Sequence, residues 1–337
     1  MWPAATLKRF RADLLAWFSR EKRDLPWRRT KDPYAIWISE IMLQQTRVAA
    51  AVPYFERFLR RFPTYQTLAE ASEDDVLNYW AGLGYYHRAR NMKKAATLMC
   101  ELGNFPGNRE AILKLPGVGD YTAAAVASIA FDLPHAVIDG NVRRVISRLF
   151  VSNAGLEKLA GELLDHERPG DFNQAVMELG ATLCLPKNPQ CLLCPVAKMC
   201  QARAQGVQHE FPAKKTKPKN VEIERTLLWV ERGSKVLAWQ RPASVRLMPG
   251  FWELPEEAQL PGAVPVAEAG VLRHCITVNR YRIKVWRAEA PSDIGNCQWI
   301  EMRGGPHLPL STIFKKALKI VEDVREPLRA LKTTVGN

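Results

Sequence analysis

No run of apolar residues in this 337-residue chain approaches the ~20 needed to cross a bilayer; the longest, around Ala123 to Phe131, is far shorter. Met1-Trp2-Pro3 leads straight into Leu7-Lys8-Arg9-Phe10-Arg11, without the apolar core of a secretory leader. Internal repeats and low-complexity tracts are missing too. Acidic charge is in deficit, with 35 Asp and Glu against 48 Lys and Arg, a formal net charge of +13. The first two absences exclude a spanning helix and set the expectation of a cytosolic protein with no membrane partner, nucleoid-associated if the source is bacterial. Thiols stay reduced there, so the seven cysteines read as ligands or core residues rather than disulfide partners.

What is present is ordinary for a folded protein. Apolar residues make up 47% and charged residues 25%, so each half can bury a normal core, disorder is not the default reading and two domains fit the length. The basic excess suits a polyanion such as nucleic acid, because neutralised phosphates release bound counterions. Charge alone leaves open a basic protein with no such partner.

Apolar residues recur at helical spacing from Leu7 to about residue 200, in Leu7, Phe10, Leu14, Trp17 and Phe18 and again in Ile36, Trp37, Ile41 and Leu43. Turn residues punctuate them at Leu25-Pro26-Trp27, Phe62-Pro63, Gly82-Leu83-Gly84, Leu115-Pro116-Gly117 and Asp139-Gly140. Four lysines and a proline without periodicity, between 213 and 222, mark a linker. Beyond it, Leu227–Val230, Val236–Trp239, Gly250–Leu254 and the alternating Tyr281–Val285 read as strands, followed by a helix over about Thr312 to Leu331. The expected fold is therefore mainly α: a helical domain over 1–213, a basic linker over 214–224 and a smaller α+β domain over 225–337.

Cys184, Cys191, Cys194 and Cys200 follow C-x6-C-x2-C-x5-C. Four thiolates this close can converge on tetrahedral zinc or on a four-iron cluster, and spacing leaves that choice open. Cys100, Cys275 and Cys297 are scattered, with core packing expected for each. Leu115-Pro116-Gly117-Val118-Gly119-Asp120-Tyr121-Thr122-Ala123 joins two helical stretches. Gly117 and Gly119 permit a tight turn and bring backbone N–H groups to a helix N-terminus, a geometry that favours a phosphate. Asp139 reads first as a helix N-cap, and a helix N-terminus also favours its ionised form. Glu40 has Ile36 and Trp37 one turn back and Leu43 one turn ahead. A glutamate on the helix edge is the commoner case, but one inside this apolar stripe resists ionising and can serve as a general acid.

Together these strings resemble the endonuclease III superfamily of helix-hairpin-helix DNA glycosylases, and within it the adenine-removing, mismatch-specific family. The likeness spans about residues 7 to 205 with specific motifs and the remainder loosely. It implies a two-lobed helical core and one four-iron, four-sulfur cluster on Cys184, Cys191, Cys194 and Cys200. It also implies a Nudix-like lesion-recognition domain at the C-terminal end. The expected partner is duplex DNA holding an adenine mispair, bound by a monomer.

Ser39-Glu40-Ile41-Met42-Leu43-Gln44-Gln45-Thr46 resembles the adenine-glycosylase signature, in which Glu40 would protonate the departing adenine and then assist water. Asp139 would stabilise the cationic sugar, by charge or by a covalent adduct, with Tyr121 and Asn141 positioning both groups. Tyr121 stands where strand-cleaving relatives carry lysine, so a monofunctional glycosylase is expected. Trp27, Arg28 and Glu178 resemble adenine-pocket positions, with Gln44 beside them. Gln45 and Tyr85 resemble residues that enter the base stack.

In the C-terminal part, Gly250-Phe251-Trp252-Glu253-Leu254-Pro255 resembles the Nudix-like domain, but the Glu-rich metal box is missing and no pyrophosphatase activity is expected. His274 is followed by Cys275-Ile276-Thr277, so Thr277 keeps a hydroxyl where the family carries a Phe-Ser-His triplet. Arg280, Arg282 and Lys284 share one strand face, expected to be solvated or turned to DNA. Two other readings stay open: a mismatch thymine or uracil glycosylase, and a non-catalytic iron–sulfur DNA-binding protein.

Overall fold

The computed structural model describes residues 2–213, 219–242, 244–245, 248–302 and 308–334, the last eleven of these by backbone alone. The predicted linker residues 214–218 lie outside the described residues. Among the described residues twelve α-helices precede the strands: α1 (Ala4–Glu21), α2 (Pro33–Leu43), α3 (Val48–Arg61), α4 (Tyr65–Glu70), α5 (Glu73–Trp80), α6 (His87–Leu102), α7 (Arg109–Leu113), α8 (Asp120–Phe131), α9 (Gly140–Phe150), α10 (Leu156–Leu163), α11 (Pro169–Thr182) and α12 (Gln201–Ala204). Then follow β1 (Val221–Trp229), β2 (Glu231–Arg232), β3 (Lys235–Gln240), β4 (Trp252–Glu253), β5 (Val264–Ile276), β6 (Asn279–Glu289), β7 (Cys297–Glu301) and α13 (Thr312–Thr334).

The molecule divides into two compact units, one of residues 1–70 and 91–216, the other of 71–90 and 217–337. In the helical unit, α8 carries Ala123, Ala124, Ala125 and Ala127 fully or nearly buried. Side chains this small let neighbouring helices approach closely, and α2, α11 and α7 pack on it. A Cβ on Gly170 of α11 would meet the carbonyl oxygen of Ser128 at 2.5 Å, so only glycine fits that contact. Among the described residues no helix is long and apolar enough to cross a membrane.

In the strand unit β6 is the centre of one sheet, with β1 parallel on one side and β5 antiparallel on the other. A second sheet runs β2-β3-β4, with β7 also on β3. Ile313, Phe314, Ala317 and Val321 of α13 bury their faces with Leu227, Trp229, Tyr281, Ile283 and Val285. Burial alternates along β6, so Tyr281, Ile283 and Val285 face the core while Arg280 and Arg282 stay outside. There Arg280 and Arg282 lie 4.0 and 3.5 Å from Glu222 and Glu224 of β1, which partly offsets the basic stripe.

Three details depart from the expectations. β1 begins at Val221, so residues 221–224 pair with β6 rather than forming open linker. Cys100 and Cys275 are exposed and pack in no core; Cys297 alone of the three scattered cysteines is buried. The segment 71–90 groups with the strands, because Tyr86 packs on Phe251 with ring centroids 4.1 Å apart and the Arg90 guanidinium donates to the carbonyl of Pro249.

Candidate active site

α2 starts firmly: Pro33 occupies its first turn and the Asp32 carboxylate accepts from the backbone N–H groups of Tyr34 and Ala35, at 3.1 and 3.3 Å. Every residue from Tyr34 to Met42 is buried, and Glu40 goes in with them, 5% exposed. Burial pushes its carboxyl from 4.5 up to about 7; the Tyr121 hydrogen bond and Arg28 pull it down, and Asp139 pushes it further up. The Tyr121 hydroxyl donates to Glu40 Oε2 at 2.8 Å. Burial, reinforced by both carboxylates, holds this phenol well above its ordinary value, so it stays a neutral donor. The Met177 sulfur lies 3.3 Å from the same hydroxyl. When Glu40 is protonated it can donate to the phenol oxygen, and the phenolic hydrogen can turn to that weak acceptor.

Asp139 caps α9. Its Oδ1 accepts from the Val142 N–H at 2.7 Å and its Oδ2 from Asn141 Nδ2 at 2.9 Å. The other end of the Asn141 amide accepts from Arg144 Nη2 at 2.8 Å, so both ends of the amide are engaged. Arg144 also donates to the carbonyls of Gly180 and Cys184, each at 2.7 Å. A Cβ on Gly180 would sit 2.6 Å from Asn141 Cβ, so α11 can approach this segment only through glycine. Asn173 braces the approach to Asp139 by donating to the His135 carbonyl and accepting from the Val137 N–H.

Glu40 and Asp139 line one cavity of about 570 Å³, within the usual range for a small-molecule site. Tyr121, Asn141, Trp27, Arg28, Gln44, Gln45 and Glu178 line it too. Glu178 is almost wholly buried, yet Arg23 and Arg28 meet it at 2.7 and 2.8 Å. Burial alone would push its carboxyl up; the two guanidinium groups outweigh that and hold it at about 2. Trp27 sets its ring edge-on to Phe55, and Gln44 donates to Thr122 at 3.2 Å.

The remaining predicted residues stand outside this cavity. Gly117 has φ +79°, and a Cβ there would strike Asn91 at 2.7 Å; Gly119 caps α8 in extended backbone beside open space. Tyr85 and Thr277 belong to the strand unit, Thr277 at the turn between β5 and β6. Gln45, Tyr85 and Thr277 share one property: each is a non-glycine residue with left-handed backbone, at φ 57°, 49° and 55°. Such strain costs of order 1–3 kcal/mol and clusters at functional positions.

The four cysteines of the C-x6-C-x2-C-x5-C string line a common small cavity with Arg148 and Gln208. Arg148 Nη1 lies 3.2 Å from Cys184 Sγ and donates to the Leu185 carbonyl, while its Nε donates to that of Phe211. Among the described residues, no three His, Cys, Asp or Glu side chains are drawn together as around a single ion. Burial pushes the Cys194 thiol to about 12 and raises Cys200 as well, so without a cation these sulfurs keep their protons.

Motif reading missed Arg23, Met177, Gly180, Arg144 and Arg148. Gly180 lies two residues beyond Glu178, and Arg144 and Arg148 sit one and two turns into α9, but each acts through partners far along the chain.

Residues 38–165 match the family of the HhH-GPD superfamily base excision DNA repair protein. An adenine DNA glycosylase of Mus musculus is 33% identical in an alignment covering 96% of this chain and 80% of that protein. The chain belongs to the adenine DNA glycosylase family. A second adenine DNA glycosylase, from Homo sapiens, is 45% identical over 62% of this chain, and that match spans 42% of the human protein, less than half. Among solved structures, a thermostable thymine-DNA glycosylase superposes with a TM-score of 0.56 at 32% identity, over 60% of this chain and 98% of that one.

Proposed function

We propose that this chain is a monofunctional DNA glycosylase that removes adenine mispaired with 8-oxoguanine or guanine from duplex DNA, at the start of base excision repair. One observation carries the reading: a buried carboxyl near neutrality, Glu40, shares a cavity with a capped carboxylate, Asp139. Binding alone requires no such acid.

Extrusion of the adenine nucleotide costs a few kcal/mol of unstacking, and Trp27, Arg28 and Glu178 form the wall that would receive the base. Glu40 donates its proton to the purine, the glycosidic C–N bond breaks and its electron pair leaves with the base. Asp139 faces the positive charge left on the sugar. Glu40, now ionised, takes a proton from water as the water oxygen bonds to the anomeric carbon. Adenine and an abasic deoxyribose result. Tyr121 carries no amine, so no Schiff base forms and the strand stays uncut.

The likeness to a thymine-DNA glycosylase supports a second reading, removal of mispaired thymine or uracil. Release of free base from duplexes holding adenine opposite guanine or 8-oxoguanine, and thymine or uracil opposite guanine, separates the two. Glu40→Gln and Asp139→Asn should each abolish adenine release while duplex binding survives; near-normal turnover of either would refute its role.

We propose further that Cys184, Cys191, Cys194 and Cys200 hold one four-iron, four-sulfur cluster. Support comes from four thiols around one cavity and from an arginine N–H at Cys184 Sγ. When bound, such a cluster supplies covalent cross-links across the 184–200 loop. Iron and sulfide assays with visible absorbance decide it against zinc.

A further inference from the structure

Tyr85 stands on a loop that a free chain would rarely adopt. Gly82, Gly84 and Tyr85 all have left-handed backbone, at φ 111°, 70° and 49°. A bulky residue persists there only when its surroundings over-determine it. Part of that constraint is local. The buried Arg88 donates through Nη2 to the carbonyls of Leu83 and Gly84, both at 3.2 Å, and lies over the rings of Trp80 and Tyr85 at 5.0 and 5.5 Å. Trp80 Nε1 donates to the Gly84 carbonyl at 3.0 Å.

The rest comes from far along the chain. Tyr86, next to Tyr85, packs its ring on Phe251, which is fully buried. Arg90 donates to the Pro249 carbonyl and pairs through Nε with Glu73 at 2.7 Å. This partner turn is itself strained at Met248, φ 47°, two residues before the left-handed Gly250. Two backbone hydrogen bonds root it in the sheet: Gly250 N to the Arg241 carbonyl at 2.7 Å, and Arg241 N to that of Phe251 at 2.9 Å. Arg241 in turn donates to the buried Glu253 at 2.5 Å. The turn therefore moves with β3 and β4.

We propose that the position of Tyr85 in the base stack is set by the strand unit, with Phe251 and Arg90 as positioning residues that act through Tyr86 and Pro249. The inference rests on the reading of Tyr85 as a DNA contact. It gives the C-terminal half of the chain a second route to the strand opposite the adenine, beside the single hydroxyl of Thr277 at its own hairpin tip.

The test uses the full chain with its metal centre and a duplex holding a non-cleavable 2′-fluoro adenine analogue opposite 8-oxoguanine, with fluorescent 2-aminopurine next to the 8-oxoguanine. Unstacking by Tyr85 raises the fluorescence on binding, and Tyr85→Ala should remove that rise. Phe251→Leu and Arg90→Met should each cut it by about threefold or more, the size of effect that remote packing changes exert, and Arg90→Lys should restore part of it. On cleavable substrate the same variants should raise KM and spare single-turnover rate. Thermal melting and visible absorbance check folding. If Phe251→Leu does not fold, Arg90→Met carries the test, because it leaves the core untouched. A full fluorescence rise in both positioning variants, beside a lost rise in Tyr85→Ala, overturns the inference and leaves the reading of Tyr85 standing. A full rise in Tyr85→Ala removes that reading and the inference with it.

Discussion

Replacing Glu40 by glutamine should strengthen the fold while it abolishes turnover, and the gain should depend on pH. The Glu40 carboxyl moves from 4.5 in an unfolded chain to about 7 in the folded one. The native state therefore holds this proton more tightly, and the associated stability is whole below pH 4.5 and lost as pH rises through 7. A shift of 7 − 4.5 = 2.5 at ~1.4 kcal/mol per unit makes the loss about 3 kcal/mol. Burial is nearly complete, so solvent screening takes little from that figure. Glutamine occupies the same space, its amide oxygen can accept from Tyr121, and it has no charge to desolvate. The variant should exceed the parent by about 3 kcal/mol at pH 8.5 and by less than about 1 kcal/mol at pH 5. For a unit of roughly 200 residues that is a Tm gain of about 6–12 °C at pH 8.5, shrinking to a few degrees at pH 5. Melting by circular dichroism at both pH values, with hydrogen exchange of the α2 amides to follow the helical unit alone, measures it. An equal gap at the two pH values, or a less stable variant at pH 8.5, refutes the claim that burial holds Glu40 protonated.

Further outcomes follow from the same geometry. Adenine release under kcat/KM conditions should fall about tenfold per pH unit above pH 7, as Glu40 loses its proton. Because the Tyr121 hydrogen bond favours the carboxylate, Tyr121→Phe should move that limb to higher pH; a limb that stays or moves lower contradicts the assignment. Gly117→Ala should destabilise the fold by about 1–3 kcal/mol, since it meets both left-handed backbone and Asn91. Gly119→Ala should leave Tm unchanged, because its site is open, and should weaken duplex binding if the hairpin grips a phosphate as its sequence suggests; equal Tm losses in the two variants would refute this. Glu178→Gln should cost about 3 kcal/mol or more by leaving the Arg23 and Arg28 charges uncompensated, and a neutral denaturant midpoint would show the pair to be solvated instead.

The residues that a local pattern announces were legible. The apolar stripe around Glu40 is a matter of spacing, and α2 buries Ile36, Trp37 and Ile41 of it while Leu43 stays half-buried. The Asp139 cap is a matter of residue type at a helix start, and the change of period after residue 220 is a change of element. Long-range pairing left no such trace. Arg23 and Arg28 reach Glu178 across some 150 positions, and nothing in their neighbourhood marks them as its counter-charges. The grouping of 71–90 with the strands depends on Tyr86 meeting Phe251, two aromatics that each look like ordinary core. β1 claims Val221 to Glu224, two of them acidic, because β6 offers a parallel edge, a pairing that composition cannot announce. Gly117 and Gly119 read alike in sequence, and only the surroundings separate a glycine required by backbone and Asn91 from one that keeps a surface open.

The two carboxylates differ in chemistry because opposite devices hold them. Glu40 is buried by the helix that carries it, and its one hydrogen bond does not offset the lost hydration. Asp139 lies at a helix start with both oxygens accepting, one from Val142 and one from Asn141. A chain selected for stability alone would place neither an acid in the middle of α2 nor left-handed backbone at Gln45. Each of these choices costs free energy in the empty protein. Tyr121 makes sense of the first, because it hands Glu40 one donor, enough to orient the carboxyl and too few to return it to the ordinary carboxylate range. The stability cost of Glu40 and its power to protonate a base are therefore one quantity, and a substitution that relieves the first removes the second.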